Sequence, residues 1–139
     1  MEISELNNLG SAIIASAFDV RNDLGPFVVE KIYEEALMME LQDRGINVRS
    51  QQSIPVYYKG RKLDFTPICD LVVENEIILE LKTVPYLEYK HVQQILSYLH
   101  IADKRLGYLI NFRAPEFRVA KSFNTYKDNL GIYRFINKI

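Results

Sequence analysis

Asp70, Glu80 and Lys82 punctuate two otherwise apolar runs in the segment Ile68-Cys69-Asp70-Leu71-Val72-Val73-Glu74-Asn75-Glu76-Ile77-Ile78-Leu79-Glu80-Leu81-Lys82. Read as a strand, the second run alternates with period two. Ile77, Leu79 and Leu81 then share one face, while Ile78, Glu80 and Lys82 share the other, so the carboxylate and the ammonium project together. If Glu74-Asn75-Glu76 forms a three-residue turn, Asp70 stands opposite Glu80 on the same face, with Cβ atoms about 5 Å apart. A two-residue turn would send the two to opposite faces. Only the first register collects two carboxylates and a lysine in one patch, a set able to hold a divalent cation and activate a water beside it. The opposing reading makes Glu80 and Lys82 an ordinary pair on a solvated sheet face. Against it stands the apolar character of the second run, the pattern of a strand covered on both faces, where an unpaired charge is strongly disfavoured.

The flanking pattern predicts the elements that position this hairpin. Leu6, Leu9, Ile13, Ala17, Val20 and Leu24 recur at helical spacing, Gly25-Pro26 stops that helix, and Pro26 can open the next. The second helix is predicted to present Val29, Ile32, Tyr33, Ala36, Leu37 and Leu41 on one side, with acidic residues on the other, and to end at Gly45. Extended segments follow at 46–52, 54–58 and 62–65, with a Lys59-Gly60 turn between the last two. After Pro85, a third helix carries the apolar stripe Val92, Ile95, Leu96 and Leu99, with His91, Gln94 and Tyr98 on the adjacent face. Leu106, Tyr108, Ile110 and Phe112 alternate as a further strand, and residues 132–136 read as a short terminal one.

The chain has 139 residues, a common size for one domain, so residues 1–139 are read as a single unit with enough apolar content for a real core. The lone cysteine, Cys69, excludes an internal disulfide and any multi-cysteine metal site, and suits a reducing cytoplasm. Apolar stretches are short and the first five residues are acidic rather than basic, so neither a membrane span nor a secretory signal is expected. A net charge of −1 hides an asymmetry. Residues 1–81 hold seven Lys and Arg against fourteen Asp and Glu, a balance of −7, whereas residues 82–139 hold ten against four, a balance of +6. The basic half, with Lys82, Lys90, Lys104, Arg105, Arg113, Arg118, Lys121 and Lys127, could meet a phosphate backbone if these residues gather around the acidic site. The alternative is a solvated surface with scattered charge.

The order of elements and motifs resembles the PD-(D/E)XK nuclease superfamily and, within it, the GxxExxY family of small bacterial and archaeal proteins. The resemblance rests on Leu24-Gly25-Pro26, Glu30-Lys31-Ile32-Tyr33-Glu34-Glu35-Ala36-Leu37, Ile54-Pro55-Val56-Tyr57-Tyr58-Lys59-Gly60, Asp70-Leu71-Val72-Val73, Ile78-Leu79-Glu80-Leu81-Lys82, Gln94-Ile95-Leu96-Ser97-Tyr98-Leu99 and Leu106-Gly107-Tyr108-Leu109-Ile110-Asn111-Phe112. It covers roughly residues 5–113. The glycine of the family name would fall at Phe27, which leaves the bend to Gly25, and Cys69 stands where the motif has proline. Residues 113–130, with Phe117, Phe123 and Tyr126, run longer than the family's usual end.

The resemblance implies an α/β fold with a restriction-endonuclease-like core, a mixed central sheet flanked by helices, preceded by an N-terminal helical hairpin. It implies metal-dependent hydrolysis of phosphodiester bonds, with DNA as the expected substrate and Mg2+ or Mn2+ as the cofactor. Asp70 and Glu80 would be metal ligands, Glu30 an additional carboxylate from the second helix, Lys82 the group that polarises the attacking water, and Gln94 a residue orienting water or nucleic acid. Tyr86, Tyr89 and Tyr98 could stack on bases or pack at the core edge. His91 and His100 are read as surface or packing residues. Small nucleases of this fold suggest a homodimer, with the first helix as interface. Two other readings stay open: a module that binds nucleic acid or a partner without turnover, and a hydrolase of another phosphodiester.

Overall fold

The computed structural model describes residues 1–121 and 129–137. In chain order it contains α1 (Ile3–Leu24), α2 (Glu30–Asp43), β1 (Val48–Ser53), β2 (Tyr57–Tyr58), β3 (Arg61–Lys62), β4 (Ile68–Val73), β5 (Ile77–Lys82), α3 (Tyr89–Ala102), β6 (Leu106–Asn111), β7 (Arg118–Val119) and β8 (Gly131–Ile136). Six strands form one mixed sheet in the order β1-β4-β5-β6-β8-β7, and β2 pairs with β3 in a separate ribbon. The β1–β4 and β4–β5 pairs are antiparallel. The β5–β6 pair is parallel, because α3 carries the chain across the sheet between them.

The helices cover opposite faces. Leu6, Ile13, Ala17 and Val20 of α1 and Tyr33, Leu37 and Leu41 of α2 pack on Leu71, Val73, Ile77, Leu79 and Leu81. Val92, Ile95 and Leu99 of α3 pack on the other face, against Ile78, Leu109 and Cys69. The predicted division of β5 therefore holds, with its odd residues toward α1 and α2 and Ile78 toward α3. Burial on both faces explains why β5 and β6 read as almost unbroken apolar runs. Gly107 lets α3 sit close: a Cβ there would meet Ile95, Leu99 and the Ile78 carbonyl at 3.0–3.2 Å.

Several boundaries and faces differ from expectation. Pro26 does not open α2, which begins at Glu30. The intervening turn instead depends on Gly25, whose φ of 72° lies in the left-handed region that a side chain disfavours. Val29 and Ile32 are exposed, and the inward stripe of α2 is Tyr33, Glu34, Leu37 and Leu41. Leu96 of α3 is likewise exposed. The segments expected at 54–58 and 62–65 shrink to two-residue strands that pair only with each other. Strand β7 forms within residues 113–130, where the sequence pattern shows no regular element. Phe117, just before it, packs against Phe18 and Phe112 with centroids at 5.4 and 5.5 Å. Phe123, Tyr126 and Lys127 lie outside the described residues.

Candidate active site

The site starts from the β4–β5 hairpin. Glu74 and Asn75 take left-handed φ values of 51° and 55°, and the Glu76 N–H donates to the Val73 carbonyl at 2.9 Å. This closes the three-residue turn and sets Val73 opposite Ile77, Val72 opposite Ile78 and Leu71 opposite Leu79. One further step brings Asp70 opposite Glu80. There the ladder is replaced by side-chain bonds: the Asp70 N–H donates to Glu80 Oε1 at 3.1 Å, and the Leu81 N–H donates to Asp70 Oδ2 at 2.8 Å. Each carboxylate is thus held by a main-chain N–H of the facing strand. Across β1 the pairing is interrupted at the same level, since Ser50–Leu71 and Gln52–Cys69 pair while Gln51, between them, adopts a φ of 50°.

Glu80 is only 2% exposed. Burial, and next the Asp70 charge, push its carboxyl up to about 9, against a smaller lowering influence from Lys82. The Asp70 side chain is within hydrogen-bonding reach of protonated Glu80. Among the described residues neither carboxylate forms an ion pair. Two adjacent anions in such surroundings must share a proton or accept a cation.

Helix α2 supplies a third carboxylate. Half-buried Glu30 has its carboxyl raised, first by burial and then by Asp70, with Lys82 opposing, so it lies within the electric field of the same cluster. Its position follows from Tyr33, one turn on. The Tyr33 hydroxyl donates to the Gly25 carbonyl, and its ring stacks on Phe112 with centroids 4.4 Å apart. The tyrosine therefore ties the α1–α2 turn to the core and fixes where α2 begins.

Lys82 lies half-buried at the end of β5. Its carbonyl accepts the Phe112 N–H at 3.0 Å. Asn111, its partner in the β5–β6 register and fully buried, binds both polar groups of the Val84 backbone, at 3.0 Å to N–H and 2.8 Å to the carbonyl. These bonds anchor the chain leaving Lys82.

From α3, Gln94 Nε2 donates to the Tyr98 hydroxyl at 3.0 Å. Burial, then the Glu80 charge, raises the Tyr98 hydroxyl, which places this pair beside the carboxylates rather than Gln94 alone. His91 also lies near. Burial, then Lys82 and Lys90, depress its imidazole, and its Nδ1 accepts the Glu88 N–H at 2.8 Å, the second half of a capping box at the start of α3. Tyr86 and Tyr89 are exposed.

Three residues of this neighbourhood escaped the sequence reading. Glu34 is buried, bonded to Lys31 at 2.5 Å and to Gln51 Nε2 at 2.7 Å. A glutamate at the position of an inward helical stripe was the available signal. Asn111 ends an otherwise apolar strand, again a polar residue where a strand is buried. Gln51 carried no signal beyond its place across from Asp70.

A sequence model of the PD-(D/E)XK nuclease superfamily matches residues 7–122. The chain belongs to this superfamily. No curated protein and no solved structure matches it. The mixed sheet flanked by helices, with a helical hairpin at the N-terminus, is the expected nuclease-like architecture. Members of this superfamily act on nucleic acid and typically use divalent metal ions. Among the described residues, no group of three or more His, Cys, Asp or Glu is gathered closely enough to ligate one ion. The part of the donor set that does converge is the Asp70–Glu80 pair, and its hard, anionic oxygens fit Mg2+ or Mn2+.

Two cations of the basic half of the PD-(D/E)XK chain, Lys104 and Arg105, lie away from this cluster. The Lys104 ammonium bonds the Asn75 carbonyl at 2.8 Å, and Arg105 bonds the Met1 carbonyl at 2.7 Å and lies 4.0 Å from Glu76. Both therefore sit at the β4–β5 turn, the end of the hairpin opposite Asp70 and Glu80, five residues or about 16 Å away. Lys90 pairs with Glu88, and Arg118 with Glu116. Lys82 and Lys90 are near the site, as their shared effect on His91 indicates. No helix among the described residues is long and apolar enough to cross a membrane.

Proposed function

We propose that this protein is a metal-dependent nuclease of the GxxExxY type that hydrolyses phosphodiester bonds in DNA in the cytoplasm. The observation that carries the reading is the pair of buried Glu80 and half-buried Asp70, cross-bonded to opposing main-chain N–H groups, with Lys82 and Glu30 in its field. In the empty site burial and the Asp70 charge keep a proton on Glu80 well above the ordinary carboxylate range, and an incoming cation can take the place of that proton.

Asp70 and Glu80 would hold Mg2+ or Mn2+, with Glu30 on α2 adding negative charge to the field around the ion. When bound, the ion supplies a Lewis acid for the phosphate oxygens and lowers the pKa of water. The main-chain bonds keep one oxygen of each carboxylate fixed, so the donors need little reorganisation. Lys82 orients the attacking water and screens the negative charge that grows on the phosphoryl oxygens as the new P–O bond forms and the ester P–O bond breaks. Gln94, through Tyr98, keeps the α3 side of the site polar and ordered. Tyr33 acts on Glu30 by fixing the start of α2.

The placement of Lys104 and Arg105 away from the carboxylates favours a second reading, a module that binds nucleic acid or a partner without turnover. A titration of Mg2+ and Mn2+ with mixed nucleic-acid substrates, comparing wild type with Glu80→Ala, separates the two. Cleavage that requires metal and Glu80 supports the nuclease. Binding without cleavage in either protein supports the module.

A further inference from the structure

Between β1 and β4 the chain leaves the sheet as a narrow arm. The Ile54 N–H donates to the Pro67 carbonyl at 2.8 Å and closes its neck, the Leu63 N–H donates to the Val56 carbonyl at 2.8 Å, and Tyr57–Lys62 and Tyr58–Arg61 pair above. Lys59 and Gly60, with φ values of 50° and 77°, form the two-residue tip. From neck to tip the arm spans five residues, roughly 16 Å. Its neck is three residues, about 10 Å of extended chain, from Asp70.

The arm's large side chains are exposed, and Lys59 Nζ lies 5.5 Å from the centroid of the Tyr58 ring. Tyr57, Tyr58 and Phe65 are 64%, 58% and 77% exposed, and Lys59, Arg61 and Lys62 are exposed too. Among the described residues none of these three cations makes an ion pair. Successive residues of a ribbon face opposite ways, so each face carries one tyrosine beside one cation, Tyr57 with Lys62 and Tyr58 with Arg61. Below the arm, Tyr57 borders a cleft of about 570 Å³ on the α3 side of β1 and β4, lined also by Gln52, Arg49 and, at its far end, Lys104. Arg49 is exposed and likewise makes no ion pair among the described residues.

We infer that the arm and this cleft form a track for single-stranded nucleic acid, with tyrosines stacking on unpaired bases and Lys59, Arg61, Lys62 and Arg49 meeting phosphates. The partner follows from the chemistry. Cations repeated along a line fit a polyanion, exposed aromatic faces beside them fit bases that are not stacked in a duplex, and the cleft has room for a base turned inward. The track also gives Lys104 a role at the end of the cleft, where it does not serve the carboxylates. This inference rests on the nuclease reading for its substrate, but binding can be measured without turnover.

The test uses full-length protein in EDTA with fluorescein-labelled oligo(dT) and a duplex of equal length. It compares wild type with Tyr57→Ala/Tyr58→Ala, with Lys59→Ala/Arg61→Ala/Lys62→Ala and, independently of the arm, with Arg49→Glu. Circular dichroism and melting temperature establish that each variant is folded. Wild type is expected to prefer the single strand. The tyrosine variant should lose about tenfold or more in affinity. The lysine and arginine variant should lose affinity and lower the slope of log K against log salt by about 2, from roughly 0.7 for each of three phosphates. Arg49→Glu should weaken binding with the arm intact.

In Mg2+, the arm variants should raise KM for the oligonucleotide while turnover of bis(p-nitrophenyl) phosphate, too small to reach the arm, is unchanged. Equal affinity and salt slope in folded wild type and variants would overturn the track, as would duplex preference lost only with the cations, or a tyrosine variant that changes oligomeric state without changing affinity. Wild type that binds oligo(dT) through the arm yet cleaves nothing would sink the nuclease reading and leave the track standing.

Discussion

Asp70 and Glu80 are each held by the other's strand, the Asp70 N–H on Glu80 Oε1 at 3.1 Å and the Leu81 N–H on Asp70 Oδ2 at 2.8 Å. The two bonds occupy the level at which the regular ladder ends, so the same geometry that opens the sheet brings the carboxylates together. Without a cation the pair is a source of instability, and pH should reveal it.

In metal-free protein, burial and the Asp70 charge push Glu80 up from its ordinary 4.5 to about 9. Because the folded value is raised, the unfolded chain loses this proton first. Stability associated with Glu80 is fully present below about pH 4.5 and is lost as pH rises toward 9, at most about 1.4 kcal/mol per pH unit. Urea melts in EDTA from pH 5 to 9 should show wild type weakening relative to Glu80→Gln, which keeps the shape and cannot ionise. Parallel curves would mean that Glu80 does not carry the buried charge.

Divalent metal should reverse the sign of that liability. Millimolar Mg2+ or Mn2+ is expected to raise the melting temperature of wild type, by the equivalent of about 2.7 kcal/mol when the ion is at one hundred times its Kd. Asp70→Asn should shrink this gain, and in the metal-free protein it should lessen the loss of stability between pH 5 and 9, since the Asp70 charge is part of what raises Glu80. No shift in wild type with either ion would refute the metal site.

Lys82 is not a ligand in this arrangement. Lys82→Ala should therefore keep the metal-induced rise in melting temperature and lose about a hundredfold or more in kcat, the usual scale for a group that stabilises transition-state charge. Single-turnover cleavage with saturating metal is the relevant assay. Loss of the metal-induced rise in this variant would assign Lys82 to site assembly.

Tyr33 ties the α1–α2 turn to the core through the Gly25 carbonyl and a stack on Phe112. Tyr33→Phe keeps the stack and removes the bond, so it should cost about 1 kcal/mol in chemical denaturation. It should also reduce cleavage more than its stability loss explains, through the position of Glu30. Undiminished activity would show that Glu30 does not depend on this anchor.

What could be read along the chain were the features set by local physics. The turn at Glu74-Asn75-Glu76 and the alternation of Ile77 to Lys82 lie within one hairpin, whose register is fixed by a few adjacent residues, and so the facing of Asp70 and Glu80 could be foreseen. The three helices announced themselves by apolar spacing, and the family resemblance added Glu30 to the cluster. Tertiary structure decided the rest. Helical periodicity constrains a face only loosely, so Ile32 was expected inside where Glu34 is, and the choice was made by the sheet and by Gln51 on another strand. Lys104 and Arg105 follow α3 in sequence, but the crossover that makes β5 and β6 parallel returns the chain to the start of β5, which is the end of the hairpin remote from Asp70 and Glu80. Nor does the sequence between β1 and β4 say that its residues leave the sheet, because alternation looks the same in a strand that is covered and in an arm that is not. Which charges meet is a matter of long-range pairing, and a linear pattern carries no distance between segments that only folding brings together.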